Sequence, residues 1–76
     1  MRMDAYVVGK VIQRLREQKG KTQEVLSGLA GIGRTHLSAI ERGTRKPTLE
    51  TFSFIADALG MKPSELMADI EKEIGK

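Results

Sequence analysis

The stretch TQEVLSGLAGIGRTHLSAIERG, Thr22 to Gly43, leaves few folds open to this chain. Apolar residues recur at helical spacing in both halves: Val25, Leu26 and Leu29 in the first, Leu37 and Ile40 in the second. Between them Gly31, Ile32 and Gly33 leave room for no more than a tight turn. Two short helices that cross steeply over such a turn leave the second one protruding, opening on Arg34, Thr35 and His36. A protruding helix of this kind fits the major groove of B-DNA.

The rest of the chain predicts three more helices and no strand. The first runs from about Tyr6 to Lys19, with Val8, Ile12 and Leu15 on one stripe and Val11 beside it, and Gly20 stops it. Thr22 is a good N-cap for the second, with Glu24 in its first turn, but Val25 at the third position excludes a reciprocal capping box. Gly31 is expected in the left-handed conformation, Ile32 tucked between the two helices, and Gly33 at the N-cap of the third. Thr48 caps a fourth helix whose buried stripe is Phe52, Ile55, Ala56 and Leu59. Pro63 and Glu65 start a fifth, with Leu66, Met67, Ile70 and Ile74 on one side. The expectation is an all-α fold of five helices in one domain, residues 1–76, with every connection short.

Composition narrows the function. Seventy-six residues hold too little core for a deep substrate pocket, so neither an enzyme nor a small-molecule receptor is expected. With no cysteine there is no disulfide, thiolate nucleophile or cysteine metal site, which suits a reducing cytoplasm. Asp4 stands where a signal peptide would begin its apolar stretch, and no apolar run reaches membrane-span length; the expected location is cytoplasmic, without a membrane partner. The net charge of +3 says little by itself, but its distribution is uneven. Residues 1–46 carry ten Lys/Arg against four Asp/Glu, and residues 47–76 carry three against six. One face is thereby suited to a polyanion and another to be turned away from it. The Gly31–Gly33 segment is no phosphate-cradling loop, since it follows a helix and lacks the Lys-Ser/Thr pair.

With these residues placed, the chain resembles the phage-repressor (Cro-like, Xre-like) helix-turn-helix family over roughly Val8 to Met67. The resemblance rests on Gly9-Lys10, Leu15-Arg16, Gly20, Thr22-Gln23-Glu24, Leu26 and Gly31-Ile32. It continues through Arg34-Thr35, Leu37-Ser38, Ile40-Glu41-Arg42-Gly43, Pro47 to Thr51, Ala58-Leu59-Gly60 and Glu65-Leu66. It implies a five-helix lambda-repressor-like domain whose helix-turn-helix spans residues 22–43. Three positions depart from the family pattern: Ser27 for alanine at the helix crossing, Ala30 for leucine, and Gly33 for a Ser or Thr cap. Ala30 leaves core volume to be filled, with Leu29 the nearest candidate.

Carried over by position, the resemblance assigns base reading to Arg34, Thr35 and Ala39, with His36 and Ser38 at the margin. The Arg34 guanidinium can donate two hydrogen bonds to guanine O6 and N7, although arginine also grips phosphates. Thr35 can offer a methyl to thymine or a hydroxyl to phosphate, and Ala39 apolar contact alone. His36 has no second histidine, cysteine or suitably placed acid to make a metal or catalytic site, so no metal and no cofactor is expected. Backbone contacts are implied for Gln23, which in the family can also brace the first residue of the recognition helix, here Arg34. They are implied too for Arg42, Thr44, Arg45 and Lys46, with Lys10 and either Lys19 or Lys21 as longer-range additions. Arg16 and Glu41 are implied to form a buried ion pair and are assigned to structure.

A single domain of this size touches few base pairs, so a homodimer reading a palindromic operator is expected. Phe54, off the buried stripe of the fourth helix, and Ile70 and Ile74, extending that of the fifth, are the candidate interface within residues 48–74. The functional expectation is a transcriptional regulator, with a restriction–modification controller and a prophage repressor both compatible. An antitoxin-type interaction module with secondary DNA binding is the alternative.

Overall fold

A computed structural model describes residues 2–76. Among them are five helices and no strand: α1 (Ala5–Gln18), α2 (Gln23–Ala30), α3 (Arg34–Arg42), α4 (Leu49–Ala58) and α5 (Pro63–Ile74). Each boundary has a local cause. The Asp4 carboxylate accepts the Tyr6 N–H at 2.8 Å and starts α1 one residue earlier than the apolar stripe indicates. The hydroxyls of Thr22 and Thr48 accept the N–H groups of Val25 and Thr51, both at 3.1 Å, satisfying donors that a helix start leaves open. At α5 the Glu65 carboxylate accepts the Lys62 N–H at 2.8 Å, which is one half of a capping box behind Pro63.

Gly31 closes α2 at φ 70°, a left-handed conformation that costs other residues energy. The Ile32 N–H then reaches back to the Ser27 carbonyl at 3.0 Å. Only Gly33 separates this turn from α3, and Ile32 packs half-buried against the core.

The core is aliphatic, with Ile12, Leu26, Leu37, Ile40, Ile55, Leu66 and Ile70 fully buried. Helix α1 packs on α3 and α5, α2 on α3 and α4, and α4 on α5. Two expectations fail here. Leu29 does not fill the volume left by Ala30: it is 61% exposed, Val25 beside it is exposed too, and Ala30 is buried. Leu26 and Ala30 form one i, i+4 stripe on α2, Val25 and Leu29 the neighbouring one, and only the first can face α4. Alanine at the inward position lets the helices approach with no leucine between them. Ser27 also faces inward, its hydroxyl turned back to donate to the Glu24 carbonyl at 3.1 Å.

The second failure is Ile70. It is 0% exposed, packed in the core, and cannot meet a partner chain, while Ile74 lies half-buried against the same core. The apolar stripe of α5 is spent inside the molecule against α1 and α4. Phe54, at 43% exposure, is the one expected interface residue on the surface. Leu49 at the start of α4 is 85% exposed, and it lies on none of the expected apolar stripes. It stands beside a groove of about 200 Å³ lined by Met3, Val8, Pro47, Phe52 and Met67.

Candidate nucleic-acid interface

Helix α3 is amphipathic to an extreme: Leu37, Ile40 and Glu41 point inward while its opening residues Arg34 and Thr35 are exposed. His36, Ser38 and Ala39 are half-buried along its flank. Gly33 caps this helix without a side-chain hydrogen bond, so the first-turn N–H groups face outward with the positive end of the helix dipole behind them. The Ser38 hydroxyl accepts from Arg42 Nη1 at 2.9 Å, which keeps its own proton free to donate. Beyond the helix, Thr44 is tied down, its hydroxyl and its N–H both donating to the Ala39 carbonyl. Arg45 and Lys46 follow, fully on the surface.

Charge is sorted spatially as well as along the chain. Arg14 and Lys76 are both committed to Glu73, at 2.9 and 3.1 Å, where α1 meets the end of α5. Those two hydrogen bonds hold the Glu73 carboxyl below its ordinary range. Among the described residues Arg34, Arg42, Arg45 and Lys46 have no acidic partner. Four cations without an acidic partner thus stand on and just after α3. Lys10 lies 5.4 Å over the Tyr6 ring on α1, so it is held by an aromatic face.

What holds α3 in place is a buried polar network. Arg16 on α1 donates from Nε to Glu41 Oε2 at 2.7 Å and from Nη2 to Oε1 at 3.0 Å, a fork that locks α1 to α3. Its third donor, Nη1, reaches the Lys21 carbonyl at 2.8 Å. The hydrogen bonds to Glu41 outweigh burial and raise the Arg16 pKa above its ordinary value. No buried side-chain nitrogen or oxygen among the described residues lacks a partner, the condition under which a buried ion pair is tolerable.

The backbone makes a second lock. Gly9 on α1 lies so close to α3 that a Cβ there would sit 2.2 Å from the Ile40 carbonyl oxygen and 2.6 Å from that of Glu41. The family resemblance gives Gly9 no role, but a glycine inside a strong amphipathic stripe is the signal that another backbone approaches there.

Gln23 also departs from expectation. Its amide nitrogen donates to Glu41 Oε1 at 2.9 Å, so within the protein it braces Glu41 and not Arg34.

The helix-turn-helix family model matches residues 12–66. The HTH-type transcriptional regulator y4dJ of Sinorhizobium fredii is 39% identical over 66 residues, 87% of this chain and 86% of its own length. The control protein C.MunI of a Mycoplasma species is 38% identical over 66 residues, 86% of this chain and 89% of its own. Among solved structures, the restriction-modification controller protein C.Esp1396I, as a tetramer in complex with its natural 35 base-pair operator, is 32% identical. The match covers 100% of both chains with a TM-score of 0.89.

Proposed function

This chain belongs to that helix-turn-helix family, and from that premise we propose that it is a transcriptional regulator binding double-stranded operator DNA sequence-specifically as a homodimer. The observation that carries the reading is α3 itself. Its exposed start, Arg34 and Thr35, stands on a helix anchored from behind by the Arg16–Glu41 pair and bordered by unpaired cations. In the groove, Arg34 reads a guanine through a bidentate contact, Thr35, His36 and Ser38 supply polar contacts, and Ala39 offers only a methyl. Gln23, Arg42, Thr44, Arg45 and Lys46 hold the phosphates on either side.

The reading surface is small, and a second protomer doubles it over two half-sites about 34 Å apart. Phe54 on α4 is the anchor of that pairing, in keeping with the tetramer formed by the similar C.Esp1396I on its operator. The acidic half of the chain then faces away from DNA. Likeness to C.MunI and C.Esp1396I favours an autoregulating restriction–modification controller over a prophage repressor. The protein acts in the cytoplasm by binding alone, without catalysis. Among the described residues no helix is long and apolar enough to cross a membrane.

Selection from random double-stranded DNA at physiological salt tests this. An enriched inverted repeat is expected, and Arg34→Ala should relax choice at one position per half-site, at a cost of about 1–3 kcal/mol. Enrichment of no sequence, or of single half-sites with no partner, overturns the proposal.

A further inference from the structure

Glu41 sits 3% exposed in the core side of α3, and its ion pair with Arg16 accounts for only part of its hydrogen bonding. Oxygen Oε1 takes a second donor, Nε2 of Gln23, at 2.9 Å. A carboxylate paired with arginine can only accept, so the amide of Gln23 must face it nitrogen first; the opposite orientation would set a carbonyl against the carboxylate. One amide N–H is thereby spent. The carbonyl oxygen and the second N–H are left for whatever approaches the start of α2.

Phosphate oxygens also only accept. A phosphate beside Gln23 is repelled by the amide carbonyl and attracted by the remaining N–H, so one orientation of the amide allows one phosphate position. We propose that Glu41 is a positioning residue for DNA recognition, acting through Gln23 to set where the operator backbone is gripped. Arg16 supports it by holding the carboxylate in place through its two hydrogen bonds. This rests on the reading of the chain as an operator-binding protein with Gln23 at the backbone. It adds that an interior acid, which DNA never touches, sets the register of the contact.

The test is a double-mutant cycle on operator affinity, with folding of each variant checked by circular dichroism at low temperature. Gln23→Met and Glu41→Gln should each weaken specific binding by about tenfold, the worth of one aligned hydrogen bond. The double variant should be no weaker than Gln23→Met within about twofold, because the two act as one unit. Should Glu41→Gln not fold, Glu41→Asp keeps a charge for Arg16 while withdrawing the oxygen from Gln23. A second measurement needs no variant. In the ¹H–¹⁵N spectrum of the protein, added operator should shift one of the two Gln23 side-chain amide protons strongly and leave the Glu41-bonded one in place.

Losses that multiply in the cycle, Gln23→Met binding as tightly as the parent, or both amide protons moving together or staying put would overturn the proposal. Failure of the underlying reading looks different: the parent protein itself would bind no selected operator.

Discussion

Gly9→Ala separates two opposing effects whose sizes can be worked from the structure. Within a helix, alanine is favoured over glycine by about 1 kcal/mol. Against that, the new Cβ would lie 2.2 Å from the Ile40 oxygen, 2.6 Å from the Glu41 oxygen and 2.9 Å from the Glu41 carbonyl carbon, where ordinary contact begins near 3.4 Å. All three atoms are backbone of α3 and cannot rotate away, so α3 must retreat by about an ångström or the core must open. That strain runs at the upper end of the usual 1–3 kcal/mol for overpacking, because Leu37, Ile40 and the Arg16–Glu41 pair move with the helix. A net loss of about 2 kcal/mol is expected, lowering Tm by about 8–16 °C in a domain of this size. Gly28→Ala is the control: Gly28 lies inside α2, its Cβ would meet nothing within 4 Å, and stability should rise by about 0.5–1 kcal/mol. Thermal unfolding by circular dichroism, at one protein concentration so that association does not shift Tm, measures both. A Gly9→Ala protein as stable as the parent, beside a normally behaving Gly28→Ala, would refute the claim that α1 and α3 are locked backbone to backbone.

Phe54→Asp should leave folding intact and convert the dimer to monomer in sedimentation at micromolar concentration. Ile70→Ala should instead lower stability by about 2–5 kcal/mol through a core cavity. A monomeric parent protein would remove the role given to Phe54. Arg45→Ala and Lys46→Ala should weaken binding nearly equally on all sequences, each reducing the slope of log affinity against log salt by about 0.9; an unchanged slope would take these residues off the backbone. Because the Glu73 carboxyl is held below its unfolded value near 4.5, its contribution to stability is present above that pH and is lost as the pH falls through the lowered folded value. Glu73→Gln should therefore flatten the stability profile on the acid side while leaving its shape near neutrality unchanged, as read by urea denaturation across pH.

Much of the architecture is legible in the sequence because its causes are local. Thr22, Thr48 and Pro63 mark helix starts, and Gly31 and Gly43 mark ends, through interactions spanning three or four residues. Stripes such as Phe52, Ile55, Ala56 and Leu59 appear at helical period and are buried as expected. Of the candidate interface, the exposed start of α3 and the basic segment after it are equally local features.

What needed the tertiary structure concerns choices between faces. On α2 the sequence offers two adjacent apolar stripes, and only packing against α4 decides that Ala30 goes in and Leu29 stays out. On α5 the run of apolar residues is as compatible with an interface as with a core, until α1 and α4 close over Ile70. Gly9 marks a close backbone approach, but nothing local says which backbone until the carbonyls of α3, some thirty residues away, arrive beside it. Gln23 is a polar helix-start residue until folding brings Glu41 within 2.9 Å and orients its amide. By itself the sequence determined, to within a residue or two, where the helices begin and end and which residues open the exposed α3, since hydrogen bonds and periodicity within one turn suffice for that. Only the tertiary structure decided which faces are sealed and how the buried acid is tied to α2, since those depend on distances between segments far apart in the chain.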